Sequence, residues 1–290
     1  MKNQIKIYAL ISIGILVASC NKSVSVDFRS GLTSSGDGLS VDNIFLSDGK
    51  DKIEKTEFIY GEKFYLNFNN ITGFQKESEF VFPGMEFIVL NKTGDTIMYN
   101  KDLYASYTKG FNLSPLLLNS SLIVAKPINS KQEYTLVTNI WDKKGDGKFF
   151  TEMDFEVIPN TNIKIENDGL TAREVYLTSI THSDIITKRS IGFDEKIQLN
   201  VEGLRGFETV NGTADIKFSM KVTDDNGNVI IENDNLLGDA PLNAELVKQN
   251  LAASLIIQKG LLSNPITCVV KVQDLKSNSK ITISSELTVE

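Results

Sequence analysis

Histidine and cysteine are almost missing from this sequence, with one His and two Cys in 290 residues. A single histidine excludes a His-based zinc cluster, and two cysteines exclude a disulfide-stapled scaffold. Proline occurs only six times, too seldom for a Pro-rich spacer. Cations are also in deficit, 30 Lys and Arg against 37 Asp and Glu for a net charge of -7. A chain so acidic is a poor ligand for the phosphate backbone of nucleic acid. There is neither a Gly-rich phosphate loop nor a nucleophile-elbow pattern. Beyond the N-terminal segment no apolar run approaches the roughly 18 residues of a membrane helix.

What is present begins at the first residue, with MKNQIKIYALISIGILVASC. Lys2 and Lys6 form a positive n-region, and the short apolar run from Ile7 to Ala18 has the length of a secretion signal rather than a membrane span. Residues 1-19 are therefore expected to be a targeting segment. The end of that run, LVASC, resembles a bacterial lipobox, which implies a mature chain starting at an acylated Cys20. Several palmitate-type acyl chains, at about 0.8 kcal/mol per buried CH₂, would hold the protein stably in a membrane. Loss of Lys2 and Lys6 leaves 28 cations against 37 acids, a mature charge of -9. With Cys20 acylated, Cys268 has no partner for an intrachain disulfide. Folding must then rest on apolar burial, for which the remaining ~270 residues are enough to build two ordinary domains.

The body carries an internal repeat. YGEKFYLNFNNITGF (60-74) aligns without a gap with FDEKIQLNVEGLRGF (193-207), and the same offset brings MEFIVLNKTGDTIMYNKDL (85-103) onto FSMKVTDDNGNVIIENDNL (218-236). Upstream, GLSVDNIFL (38-46) meets GLTAREVYL (169-177). The alternation of Phe64, Leu66 and Phe68 with polar neighbours recurs as Ile197, Leu199 and Val201, the period of a half-buried strand. NKTGDT and DDNGNV supply hairpin-turn chemistry. About seven strands per copy predict an all-β chain of two tandem immunoglobulin-like β-sandwich domains, at 20-158 (with an N-terminal tether) and 159-290, with PNTN (159-162) as linker. Two segments break the strand pattern. LSPLLLNSS (113-121), with Ser114 as N-cap and Pro115 at the first helical position, and PLNAELVKQNL (241-251), capped by Asn243, predict one short crossover helix per copy.

IWDKKGDGKFF (140-150) has some features of a calcium loop, with Asp142 and Asp146 at ligand positions 1 and 5 and Gly147 at position 6, where the turn needs glycine. Lys144 and Met153 occupy positions 3 and 12, where the motif needs oxygen ligands. The sister stretch DLKSNSKIT (274-282) keeps Asp274, Lys276 and Lys280 but neither Asp146 nor Gly147. A polar hairpin turn fits both copies, so Asp142 and Asp146 are only weak metal candidates, and no cofactor is expected. Cys268 falls on the parity of Ile266, Val270 and Val272, as a buried thiol would. His182 lies in a polar turn, and no base-nucleophile arrangement nominates an enzyme. The conserved spacing of Glu62 and Glu195 places each before a strand.

Trp141 is on the strand parity opposite Tyr134, Leu136, Thr138 and Ile140, and the second copy has Gln273 there. It is expected on the outer face beside the hairpin, as a contact for a partner or a sugar ring or as a cover for the sheet edge. Tyr104 and Tyr107, with Phe111, form a second aromatic group with the same alternatives. Asp95-Thr96-Ile97 resembles a short O-glycosylation acceptor motif of Bacteroidota.

LVASC, the repeated EK..LN.....GF and the terminal DKKGDGKF hairpin together resemble the tandem Ig-like repeat lipoproteins of Bacteroidota. That resemblance covers the whole mature chain and implies an outer-membrane lipoprotein. CNKSVSVD lacks the acids that usually accompany surface export in that group, which favours the periplasmic face. The function expected is a non-enzymatic envelope adaptor with a protein partner. The alternative is a glycan-binding lipoprotein beside an outer-membrane importer, with Trp141, Tyr104 and Tyr107 as stacking residues.

Overall fold

The computed structural model describes residues 22-27 and 31-290. The targeting segment 1-19 and Cys20 lie outside the described residues. The chain is all-β apart from a single short helix among those residues.

The strands form two successive units of one topology. In the first, a sheet runs in the order Lys22–Asp27, Leu32–Asp37, Lys148–Ile158, Gln132–Asp142, Pro83–Asn91, Thr96–Asn100, and Glu57–Ile59 joins Lys148–Ile158 in parallel. The facing sheet runs Lys52–Ile53, Ser40–Ser47, Lys63–Thr72, Leu117–Ile123. The second unit repeats this with Ile163–Asp168, Lys280–Val289, Ile266–Asp274, Ile216–Thr223, Val229–Asn233, and with Ser190–Ile191 parallel to Lys280–Val289. Opposite them stand Asp184–Ile186, Glu174–Ser179, Lys196–Glu202, Asn250–Ile256. Antiparallel sheets packed face to face in this order are immunoglobulin-like β-sandwiches. Short edge strands bring the count in each unit above the expected seven. Their few residues carry too little alternation to be read as strands from sequence.

The hairpin arms show how the sequence sets the faces. Phe149, Thr151, Met153, Phe155 and Val157 are buried, while Phe150, Glu152, Asp154 and Glu156 point the other way. Phe58, Phe64 and Phe68 are fully buried, each contributing about 1.5–3 kcal/mol by leaving water. Phe58 stacks on Phe64 with ring centroids 4.3 Å apart, and Phe155 meets Phe58 edge-on at 6.0 Å. One hydrophobic cluster spans Leu32 to Val157, and a separate one spans Ile163 to Val289.

Only one of the two expected crossover helices forms. Ala244–Gln249 is helical, and the Asn243 side chain accepts from the Glu245 and Leu246 amides as the cap. In the first unit, by contrast, Leu117–Ile123 is a strand paired with Lys63–Thr72. The helix expectation over 113-121 is corrected by the alternation itself. Leu116, Leu118, Ser120 and Leu122 are buried, whereas Leu117 and Ile123 are exposed, which is a period of two and leaves a helix no apolar stripe.

The joint between the units is bonded rather than loose. Asn160 is buried and donates to the Ile186 carbonyl at 3.1 Å. The Ser130 amide donates to the buried Glu174 carboxylate at 2.7 Å, and Tyr60 lies 5.3 Å from Tyr176 between ring centroids.

Candidate functional site

Residues that recur in both units prove to hold turns and strands together. Asp142 is buried; one carboxylate oxygen accepts from the Gln75 amide at 2.6 Å and the other from the Lys144 amide at 2.9 Å. Asp274 does the same with the Glu208 and Lys276 amides, at 2.9 and 3.0 Å, and also accepts from the Ser277 hydroxyl at 2.6 Å. Each Asp thus staples its hairpin to the chain that enters the neighbouring strand. The carboxylate lone pairs that a cation would use are directed at backbone amides. Asp146 is exposed in the same turn, and no group of three His, Cys, Asp or Glu among the described residues could hold a metal ion.

The other repeated positions follow suit. Glu62 accepts from the Ile59 amide and Glu195 from the Gly192 amide, closing matching turns. Gly73 and Gly206 have φ of +97° and +93°, and a Cβ on either would lie 2.1 Å from the carbonyl oxygen of Gly38 or Gly169. Only glycine can occupy that crossing. The architecture accounts for these residues, so differences between the units are the better guide to function.

The largest such difference is at Trp141. It pairs across the sheet with Gly84 on one side and Lys148 on the other. A Cβ on Gly84 would lie 2.1 Å from the indole Cε2, so the ring lies flat against the bare backbone of the neighbouring strand and turns its other side outward. In the second unit the same cross-strand pair is Gln273 with Lys217. The sandwich therefore does not require the Trp-Gly pair. Beside the indole, Phe150 pairs with Asn139. The Asn139 amide donates to Glu86 at 2.7 Å, and the exposed Tyr99 hydroxyl donates to the same carboxylate at 3.1 Å. That bond holds the Tyr99 hydroxyl above its ordinary pKa. Ser35, Asp37, Asn139, Trp141, Lys148 and Phe150 line a shallow depression of about 630 Å³ on this face. It combines aromatic planes with hydroxyl, amide and charged groups.

Of these residues the sequence pattern nominates Trp141 alone. Gly84, Asn139, Phe150, Glu86 and Tyr99 come from four strands whose register brings them together. The readable signal for Gly84 was its replacement by Lys217 at the position paired with the Trp-to-Gln change.

Tyr104, Tyr107 and Phe111 do cluster, with ring centroids 5.1 to 5.7 Å apart. Tyr104 braces the fold: its hydroxyl donates to the Asn119 carbonyl and accepts from the Asn119 amide, each at 3.0 Å. Burial raises its pKa. Tyr107 is exposed and stacked on Phe111. Among the described residues no ring contact joins Trp141 to either tyrosine. Thr96 is exposed at the start of its strand.

Cys268 is fully buried, and removal from water pushes its thiol up to about 12. A thiol in that state is not a nucleophile at neutral pH. His182 lies in a turn of the opposite sheet, its Nε2 3.8 Å from Glu195. The structure does not bring Cys268 and His182 together.

No protein-family model matches the sequence, and no curated protein is similar to it. Solved structures with some likeness include the C-terminal domain of wzt, at 13% identity over 46% of this chain and 81% of that one, with a TM-score of 0.33. A DUF3823 family protein from Bacteroides ovatus ATCC 8483 has 14% identity over 74% of this chain and 95% of that one, with a TM-score of 0.22. Fibronectin(III)-like modules of Clostridium thermocellum CbhA have 11% identity over 87% and 94%, with a TM-score of 0.19. Scores of this size carry no inference about a ligand or an activity.

Proposed function

We propose that this chain is a non-enzymatic envelope lipoprotein of the tandem Ig-like kind found in Bacteroidota. In this reading it is held at the periplasmic face of the outer membrane by an acylated Cys20 and works as an adaptor whose first unit engages a protein partner. The observation that carries the binding role is the outward-turned indole of Trp141 over Gly84, on a face where the sister unit has Gln273 and Lys217. A half-buried tryptophan with one free face is the kind of anchor that dominates protein interfaces. The LVASC sequence supports the anchor. The inert burial of Cys268 speaks against thiol-based catalysis at that residue.

The mixed lining of the depression favours a second reading. Aromatic planes flanked by Asn139, Asp37 and Ser35 suit a sugar ring, which stacks on one face and hydrogen-bonds around its rim. In-cell crosslinking of the wild-type and Trp141→Ala chains, with a glycan array run on both, separates the readings. A crosslinked protein lost on substitution supports the adaptor, and a glycan signal lost on substitution supports the alternative. Crosslinks that survive the substitution, with no glycan bound, would remove Trp141 from the account. Cys20→Ser should release the chain from membranes.

A further inference from the structure

The junction of the two units contains a cleft whose charge runs against that of the whole chain. It has a volume of about 640 Å³, and its lining includes Lys126 from the first unit and Arg173, Glu202, Arg205 and Lys248 from the second. Four cations and one carboxylate thus face one cavity in a protein whose net charge is -7. The carboxylate is already satisfied. Glu202 accepts from Arg173 Nη2 at 3.0 Å and from the Tyr176 hydroxyl at 2.7 Å. Lys248 pairs outward with Glu245 at 2.8 Å. Lys126 and Arg205 have no carboxylate partner among the described residues.

The fold does not require this charge. The positions equivalent to Arg173, Glu202 and Arg205 in the first unit are Asp42, Asn69 and Thr72. The same surface of the same sandwich therefore stands without a cation there. Like charges gathered in a concavity repel one another and raise the local potential, an arrangement that an anion relieves. Two guanidinium groups favour oxyanions that accept in a bidentate manner, and two ammonium groups add charge without fixing geometry. The cavity is within the usual size range of small-molecule sites.

We propose that this cleft binds a phosphate-bearing ligand, either a small soluble phosphate ester or the headgroup of a phospholipid, with Arg205 and Lys126 as its main contacts and Arg173 beside them. Because Lys126 belongs to one unit and the arginines to the other, the bound anion bridges the joint. This site is separate from the Trp141 face, and neither depends on the other.

The test is calorimetric titration of the full mature chain with pyrophosphate at low and moderate salt. Binding should be measurable below about 1 mM, weaken with added salt, and fall about tenfold or more in each of Arg205→Gln and Lys126→Gln. Both residues are exposed, so their loss should leave the fold intact, which circular dichroism checks. Lys164→Gln, on an exposed strand away from the cleft, should bind as wild type. Absence of binding up to about 10 mM, or equal weakening by Lys164→Gln, overturns the proposal. Flotation of the full-length mature chain carrying Cys20→Ser, and so lacking acyl chains, with phosphatidylcholine vesicles with or without phosphatidylglycerol identifies the source. Recovery with the anionic vesicles alone, reversed by pyrophosphate and lost in Arg205→Gln, points to a lipid headgroup. Pyrophosphate binding with no flotation points to a soluble ester.

Discussion

Trp141 lies flat across Gly84, and each depends on the other for its place. A Cβ at 84 would meet the indole at 2.1 Å, and without the indole the strand at 84 would expose bare backbone. An aromatic side chain over a cross-strand glycine restores the cover that the missing side chain would have given. The second unit has a Lys217-Gln273 pair at this place. That pair covers the same backbone with flexible polar chains and offers no plane to a ligand.

Gly84→Ala should therefore lift the indole from the sheet while leaving the sandwich folded. Overpacking of this kind costs about 1–3 kcal/mol. Because Trp141 is the only tryptophan, intrinsic fluorescence reports the movement directly, as a red-shifted maximum in the native state. An unchanged spectrum would mean that the ring does not rest on Gly84. Whatever binds this face should be weakened by Gly84→Ala and by Trp141→Ala alike.

Asp142 and Asp274 hold equivalent turns, and Asp274 has more donors. Burial pushes the Asp274 carboxyl up, but the donors from Ser277, Glu208 and Lys276 outweigh it and leave its pKa below the ordinary value of 3.8. A depressed carboxyl contributes stability that is present above its unfolded pKa and is lost as pH falls through the folded one. The second unit should accordingly lose this support only below about pH 4. Asp274→Ala removes the buried acceptor shared by three part-buried amides and should cost about 1–3 kcal/mol in urea denaturation at pH 7. Calcium added to wild type should not shift the midpoint. A rise in midpoint with calcium, abolished by Asp142→Ala, would restore the cation reading.

Much of this architecture can be read from the sequence, because period-two alternation and a constant-offset repeat both act on it directly. Phe64, Leu66 and Phe68 fall on the buried face for that reason. Residues 113-121 were misleading because Ser114-Pro115 offers helix-start chemistry, while the strand that follows announces itself only through the alternation of Leu116, Leu118 and Leu122. The register that sets Trp141 between Gly84 and Lys148 depends on which strands pair, a long-range outcome that no local window contains. The cleft at Lys126 and Arg205 is further from view, since its cations come from both units and meet only when these pack together.

Gly73 and Gly94 provide a graded test of backbone crowding. Both have positive φ, +97° and +86°, but a Cβ at 73 would lie 2.1 Å from the Gly38 carbonyl oxygen whereas at 94 nothing is within 4 Å. Gly94→Ala should cost only the conformational penalty of about 1–2 kcal/mol. Gly73→Ala adds a clash with backbone that cannot swing aside, so its loss in urea midpoint should be clearly larger, and Gly206→Ala should match it in the second unit. Equal losses at 73 and 94 would show that the strands around Gly38 can separate freely.

Glu174 makes the joint between the units sensitive to pH. Its carboxylate is buried, accepts from the Ser130 amide at 2.7 Å, and sits across the sheet from Glu202. Burial is the main cause that raises its pKa above the ordinary 4.5, with the Ser130 bond opposing it. A raised carboxyl binds its proton more tightly in the docked state than in the separated one. The docked arrangement therefore gains stability as pH falls through the raised pKa, and this gain is complete once pH reaches the ordinary value. Glu174→Gln keeps an acceptor for Ser130 and removes the buried charge. It should stabilise the chain at pH 7.5 and flatten the rise in thermal midpoint that wild type shows on going from pH 7.5 toward about pH 5. A variant that loses stability at pH 7.5, with the wild-type pH slope retained, would show instead that the charge itself holds the joint, through Arg173.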